Sequence, residues 1–111
     1  MQKLKQFWNA SVERCGFILK SGEIVEVENI SEAPEMEFEV SEEDLEKYYS
    51  EISATWHSHI NSFSNLSLSD YHTFLGFPEF DHWIVSQYKT VRFYVENNAV
   101  FIGEVLPYEE S

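Results

Sequence analysis

The chain has 111 residues, 43% hydrophobic and 16% aromatic, with four glycines and three prolines, a make-up that suits one folded domain and excludes a disordered or low-complexity segment. Seven basic against 20 acidic residues give a net charge of -13, a field that repels phosphate backbones and excludes unassisted nucleic-acid binding. The single Cys15 rules out an internal disulfide, and no run approaches the roughly 20 apolar residues that cross a bilayer, which leaves no membrane partner to expect.

The opening M-Q-K-L-K-Q-F-W-N-A carries two lysines but no apolar signal-peptide run, so a reducing, cytoplasmic setting is expected. Within residues 2–10, Leu4, Phe7 and Trp8 recur at spacings of three and four, which predicts a short amphipathic helix. The run R-C-G-F-I-L-K then ends at a Ser21-Gly22 turn, and E-I-V-E-V-E-N-I alternates acid and aliphatic residues, so the pair reads as a β-hairpin. Alternation in Met36-Glu37-Phe38-Glu39-Val40 predicts a third strand with one buried face.

Ser41 followed by Glu42, Glu43 and Asp44 has the form of a capped helix start, and that helix should turn Leu45, Tyr48, Tyr49 and Ile52 inward. Residues 52–57 return as a strand. A serine-rich loop leads to a helix near Ser69 to Gly76, which Pro78 stops. The tail supplies three strands, H-W-I-V-S-Q, T-V-R-F-Y-V and A-V-F-I-G-E-V-L, with Asn97-Asn98 as the turn between the last two. The expectation is an α/β fold over residues 1–111, a mixed sheet flanked by about three helices. Trp56, Trp83, Phe93, Tyr94 and Phe101, at strand positions, are candidate core residues first and substrate-groove wall second.

Twelve of the 20 acids fall between Glu23 and Glu51. They form a solvated face first of all, and a field that would steer a basic or extended substrate second.

The chemistry gathers around W-H-S-H. In an extended segment, His57 and His59 project to the same side, and neutral imidazole is a common zinc ligand. Asp70, at the start of the next helix, can be folded back to them by the ten-residue loop. Two imidazoles and one carboxylate leave a fourth tetrahedral position open, as in a catalytic zinc centre. Glu13 is the candidate to take a proton from activated water if the first strand lies beside the one bearing the histidines. His72 should face away from Asp70, His82 opens a strand away from the site, and Cys15 reads as a small buried residue.

The pattern H-x-H, seven residues, S, two residues, D is met by His57, His59, Ser67 and Asp70, with Glu13-Arg14-Cys15-Gly16 upstream. It resembles the JAMM motif of the JAB/MPN metallopeptidase family, over about residues 1 to 105, and is most similar to small prokaryotic and phage members such as the N-terminal peptidase-like domain of phage tail-assembly proteins. The resemblance implies a JAB/MPN-like domain that holds Zn2+ through His57, His59 and Asp70. It also implies Glu13 as general base and proton donor to the leaving amine, and Ser67 as hydrogen-bond donor to the oxyanion. The activity implied is hydrolysis of a peptide or isopeptide bond in a protein or peptide substrate, with a ubiquitin-like protein or a phage tail component as candidates. Ile60 and Leu66 stand where many members carry proline. The competing reading is a non-catalytic JAB/MPN-fold interaction or assembly module. Zinc hydrolysis of another bond is disfavoured, because deaminases of similar layering use paired cysteines. Oligomeric state is not assigned by the sequence.

Overall fold

The computed structural model describes residues 2–60 and 66–108. A six-stranded mixed sheet runs through it in the order β2-β1-β3-β4-β5-β6, built from β1 (Cys15–Leu19), β2 (Ile24–Val27), β3 (Ile52–Ser58), β4 (Asp81–Val85), β5 (Lys89–Glu96) and β6 (Ala99–Pro107). Only β3 and β4 pair in parallel among the described strands, and parallel neighbours need a crossover. Helix α2 (Leu68–Gly76) provides it, after a serine-rich loop of which residues 61–65 lie outside the described residues.

Both sharp turns follow from local chemistry. Gly22 adopts φ +92° between β1 and β2, and Asn97 and Asn98 take φ 51° and 64° between β5 and β6. Glycine has no Cβ to clash at positive φ, and asparagine tolerates the left-handed region better than most residues. Helix α1 (Glu42–Tyr48) starts at Ser41, whose hydroxyl oxygen accepts the Asp44 N–H at 3.1 Å. Three acids follow in the first turn, where the helix dipole favours them.

The two sheet faces are filled differently. On one, Ile18, Ala54, Trp56, Trp83 and Val85 pack under Leu4, with Phe7, Trp8, Ile24 and Leu106 at the margin. Gly16 is forced by this packing, because a Cβ there would stand 2.8 Å from the Trp56 indole nitrogen and 1.9 Å from the Val25 carbonyl. On the other, Phe74 of α2 packs with Ile84, Val91 and Phe93, while Phe17, Ile52 and Phe80 meet Leu45 and Tyr48 of α1. Burial of each such large side chain contributes about 1.5–3 kcal/mol.

Several expectations need correction. Among the described residues there are two α-helices, not about three, because the N-terminal segment Gln2–Phe7 is a 3-10 helix. Residues 36–40 form no strand: Met36 lies in a turn, and the backbone that follows bonds to the Asn29 side chain instead of a neighbouring strand. Tyr49 points outward, 46% exposed, with its hydroxyl donating to Glu79, since α1 ends at Tyr48 and a 3-10 turn (Tyr49–Glu51) rotates the chain. Ile52 is buried, from β3. Phe101 is 45% exposed on the edge strand β6, stacked on Tyr94 with 5.6 Å between ring centroids, so neither is full core. No helix among the described residues is long and apolar enough to cross a membrane.

Candidate metal centre

The register of β1 against β3 brings the site together. These strands run antiparallel with Cys15 opposite His57, and the ladder continues as the Ser58 N–H donates to the Arg14 carbonyl at 2.8 Å. The Arg14 N–H in turn donates to the Ser58 hydroxyl at 2.8 Å. One step further, Glu13 stands across from His59, and alternation puts Glu13, Cys15, His57 and His59 on one face. Glu13 is fixed from outside as well: its N–H donates to the Pro34 carbonyl at 2.6 Å, and its carbonyl accepts from the Asn29 amide at 2.8 Å.

β3 ends at Ser58, yet His59 is held as though the strand went on. Its N–H donates to the Val85 carbonyl at 2.8 Å, and its carbonyl accepts the Trp8 indole N–H at 2.8 Å. Trp8 therefore joins the N-terminal segment to the site.

Asp70 arrives from the first turn of α2. Ser67 is the N-cap: its hydroxyl oxygen accepts the Asp70 N–H at 3.0 Å, and the Asp70 carboxylate accepts the Ser67 N–H at 3.3 Å, a reciprocal capping box. The cap uses the Ser67 hydroxyl as an acceptor, which leaves the hydroxyl hydrogen to point elsewhere.

The result is a tight convergence of donor atoms. His57 Nε2 lies 3.1 Å from Asp70 Oδ1, His59 Nε2 lies 3.0 Å from Asp70 Oδ2, and the two Nε2 atoms are 3.2 Å apart. Ligands of a tetrahedral ion bonded at about 2.0–2.1 Å stand about 3.3 Å from one another. The donor set therefore fits a divalent metal. Glu13 brings a carboxylate oxygen within 4.8 Å of both imidazoles. All four residues are buried, Glu13 at 6% exposure, and Glu13 also lines a groove of about 450 Å³ with Asn9, Val12, Asn29 and Pro34.

Electrostatics separate the roles. Burial pushes Glu13 up to about 7, with Asp70 and Glu37 adding to the rise against the opposing pull of His59. Burial also lowers His57, which favours the neutral imidazole that ligates metals. For Asp70 burial works upward, but His57 and His59 outweigh it and hold the carboxylate well below its usual range. Cys15 lies buried opposite His57, its thiol pushed up to about 12 chiefly by burial, so in the metal-free protein it is a neutral thiol. The Nδ1 of His57 is buried without a hydrogen-bond partner among the described residues, while Phe38 stacks on the ring with centroids 4.2 Å apart.

Every residue singled out for this site from sequence is thus brought to it, Ser67 by way of Asp70. His72 is exposed, as expected. His82 was expected at a strand start away from the site; it is fully buried beneath α2, its ring stacked on Phe74 at 4.2 Å. Its Nε2–H donates to the Phe77 carbonyl at 3.0 Å, so Nδ1 accepts from the Thr55 hydroxyl at 2.6 Å. Trp8, Asn29 and Phe38 had not been assigned to the site. A single sequence carries no signal for their contacts with His59, Glu13 and His57, made across the fold.

No family model and no curated protein matches the chain. Among solved structures, the solution structure of protein DSY2949 from Desulfitobacterium hafniense is similar, with a TM-score of 0.65 and 19% identity over 96% of this chain and 84% of that one. At that identity the likeness concerns the fold.

Proposed function

We propose that the protein is a JAB/MPN-like zinc metallopeptidase or isopeptidase. The observation that carries this reading is the convergence of His57, His59 and both Asp70 oxygens at 3.0–3.2 Å beside a buried Glu13. His57, His59 and Asp70 would hold the zinc, which when bound supplies a Lewis acid that makes water a nucleophile near neutral pH.

The chain's own groups account for proton movement. Burial raises the Glu13 carboxyl to about 7 in the metal-free site, and a cation beside it would favour the carboxylate, so Glu13 can take a proton from water at a carboxylate oxygen and hand it to the leaving amine. Ser67 keeps its hydroxyl oxygen on the Asp70 N–H and offers its hydrogen to the oxyanion that develops on the substrate carbonyl. Asp70, fixed by the capping box, holds both imidazoles in place.

Zinc content and cleavage of a mixed peptide library and of isopeptide-linked ubiquitin test the reading. The wild-type protein should bind one zinc per chain and cleave. Asp70→Asn should weaken zinc binding by more than about 100-fold, since a neutral amide oxygen replaces an anionic ligand. Glu13→Gln should retain zinc and lose cleavage. Zinc held by both wild type and Glu13→Gln, with nothing cleaved by either, would favour the non-catalytic module.

A further inference from the structure

Beside the metal-site residues, on the same sheet face, lies a cavity of about 210 Å³ between α2 and the segment 38–40. Its walls include Phe17, Leu45, Phe77 and Phe80, and its floor is Thr55 and His82. Nothing in the zinc chemistry uses it. We propose that this cavity receives an apolar side chain of the substrate, Leu- or Phe-sized, from a residue next to the bond that is cut. The proposal rests on the peptidase reading.

Three observations set the occupant. The first is position: Thr55 and His57 are alternate residues of β3 on one face, about 7 Å apart along the strand, and Phe38 both lines the cavity and stacks on His57. Phe38 is thus the wall shared by the ligands and the cavity, and a substrate side chain next to the cut bond would enter past it. Size comes second, because a cavity of about 150 Å³ already accepts benzene.

Polarity is the third. The floor holds two polar side chains, yet they satisfy each other: the Thr55 hydroxyl donates to His82 Nδ1, and His82 Nε2–H donates to the Phe77 carbonyl. At the floor an incoming polar or charged group would lose its water and gain no partner, the other polar lining being Thr73 of α2 and the exposed Glu39. Burial also drives His82 down to about 4, so the floor stays uncharged at neutral pH. An aliphatic or aromatic side chain meets none of these costs.

The test has two independent readouts. In methyl NMR of the metal-free protein, N-acetyl-phenylalaninamide should shift the Leu45, Thr55 and Thr73 methyl signals in a saturable way. N-acetyl-glycinamide should not, and Thr73→Trp, which fills the cavity from α2, should abolish the response. Leu45→Ala, which enlarges the cavity, should instead move the preference toward N-acetyl-tryptophanamide and covers the case in which Thr73→Trp does not fold. In the zinc-loaded protein, peptides carrying Gly, Leu, Phe or Lys on each side of the scissile bond in turn should differ by about 100-fold in kcat/KM at one position, Leu or Phe over Gly or Lys. Thr73→Trp should bring Leu and Phe down to the glycine level.

Equal shifts by the glycine and phenylalanine amides, or cleavage indifferent to the residue and to Thr73→Trp, would overturn the pocket while leaving the peptidase intact. Saturable binding of the phenylalanine amide with no peptide cleaved would retire the peptidase and keep the pocket as a site for apolar side chains.

Discussion

β3 shows both faces of the sheet in four consecutive residues. Ala54 and Trp56 turn into an apolar layer closed by Leu4, whereas Thr55 and His57 turn into a layer that also buries His82, Asp70 and Glu13. Burial is nearly the same on the two sides; the chemistry is not. An apolar layer gains by excluding water, and a polar one costs free energy unless each group finds a partner. On the polar face some groups are fully paired, as Thr55 and His82 are. Others converge in a way that ordinary hydrogen bonding does not explain, with two imidazoles aiming the same nitrogen at one carboxylate and His57 Nδ1 without a partner among the described residues. The contrast separates an apolar packing surface from one on which donor atoms converge.

The largest effect should come from the apolar side. Trp56→Ala should lower unfolding free energy by about 3–5 kcal/mol in denaturant titrations. His57→Ala, next along the strand and facing the other way, should cost about 1–2 kcal/mol, because the ring removed carries a buried nitrogen with no partner among the described residues. Equal losses at the two positions would break the distinction.

Acid should act through the polar side. His82 sits at about 4 when folded, against 6.5 unfolded. Between these values the unfolded chain takes up a proton that the folded one refuses, so stability is complete above pH 6.5 and declines as pH falls toward 4. The decline should be about 2–3 kcal/mol. His82→Gln lacks the titration, and the gap between the variant and wild type should change by that amount across the window. Parallel stability curves would show that His82 is not held neutral.

Glu13 gives the smallest effect, with the opposite sign. Its folded value of about 7 lies above the unfolded 4.5, so the folded state holds the extra proton between them and stability falls as pH rises through that window. In chelator-treated protein, Glu13→Gln should be more stable than wild type by about 1–2 kcal/mol at pH 8, after solvent screening. The advantage should vanish near pH 4.5. A variant no more stable at pH 8 would mean that Glu13 carries no burial penalty.

Much of the fold was legible because its signals are local. The hairpin, the Ser41 cap and the Asn97-Asn98 turn each depend on a few neighbouring residues, and each is found where alternation and turn chemistry put it. Local signals failed where the partner was remote. Residues 36–40 alternate as a strand does, but the Asn29 side chain takes the Glu37 carbonyl and the Glu39 N–H, and the Ile30 N–H donates to the Glu39 carbonyl. Phe101 alternates as core does, but it stands on an edge strand.

The same division holds for the site. The sequence alone named the candidates, because the residue types and spacings of His57, His59, Ser67 and Asp70, with Glu13 upstream, are written along the chain. Tertiary structure alone decided that these atoms meet. The β1–β3 register sets Glu13 against His59, the capping box swings Asp70 onto both imidazoles, and the flanking segments bring Trp8 and Phe38 against the histidines. Spacing along a chain fixes which side chains share a strand face or a helix turn. Distance between separate elements depends on pairing and packing across the whole sheet, and no single segment encodes that.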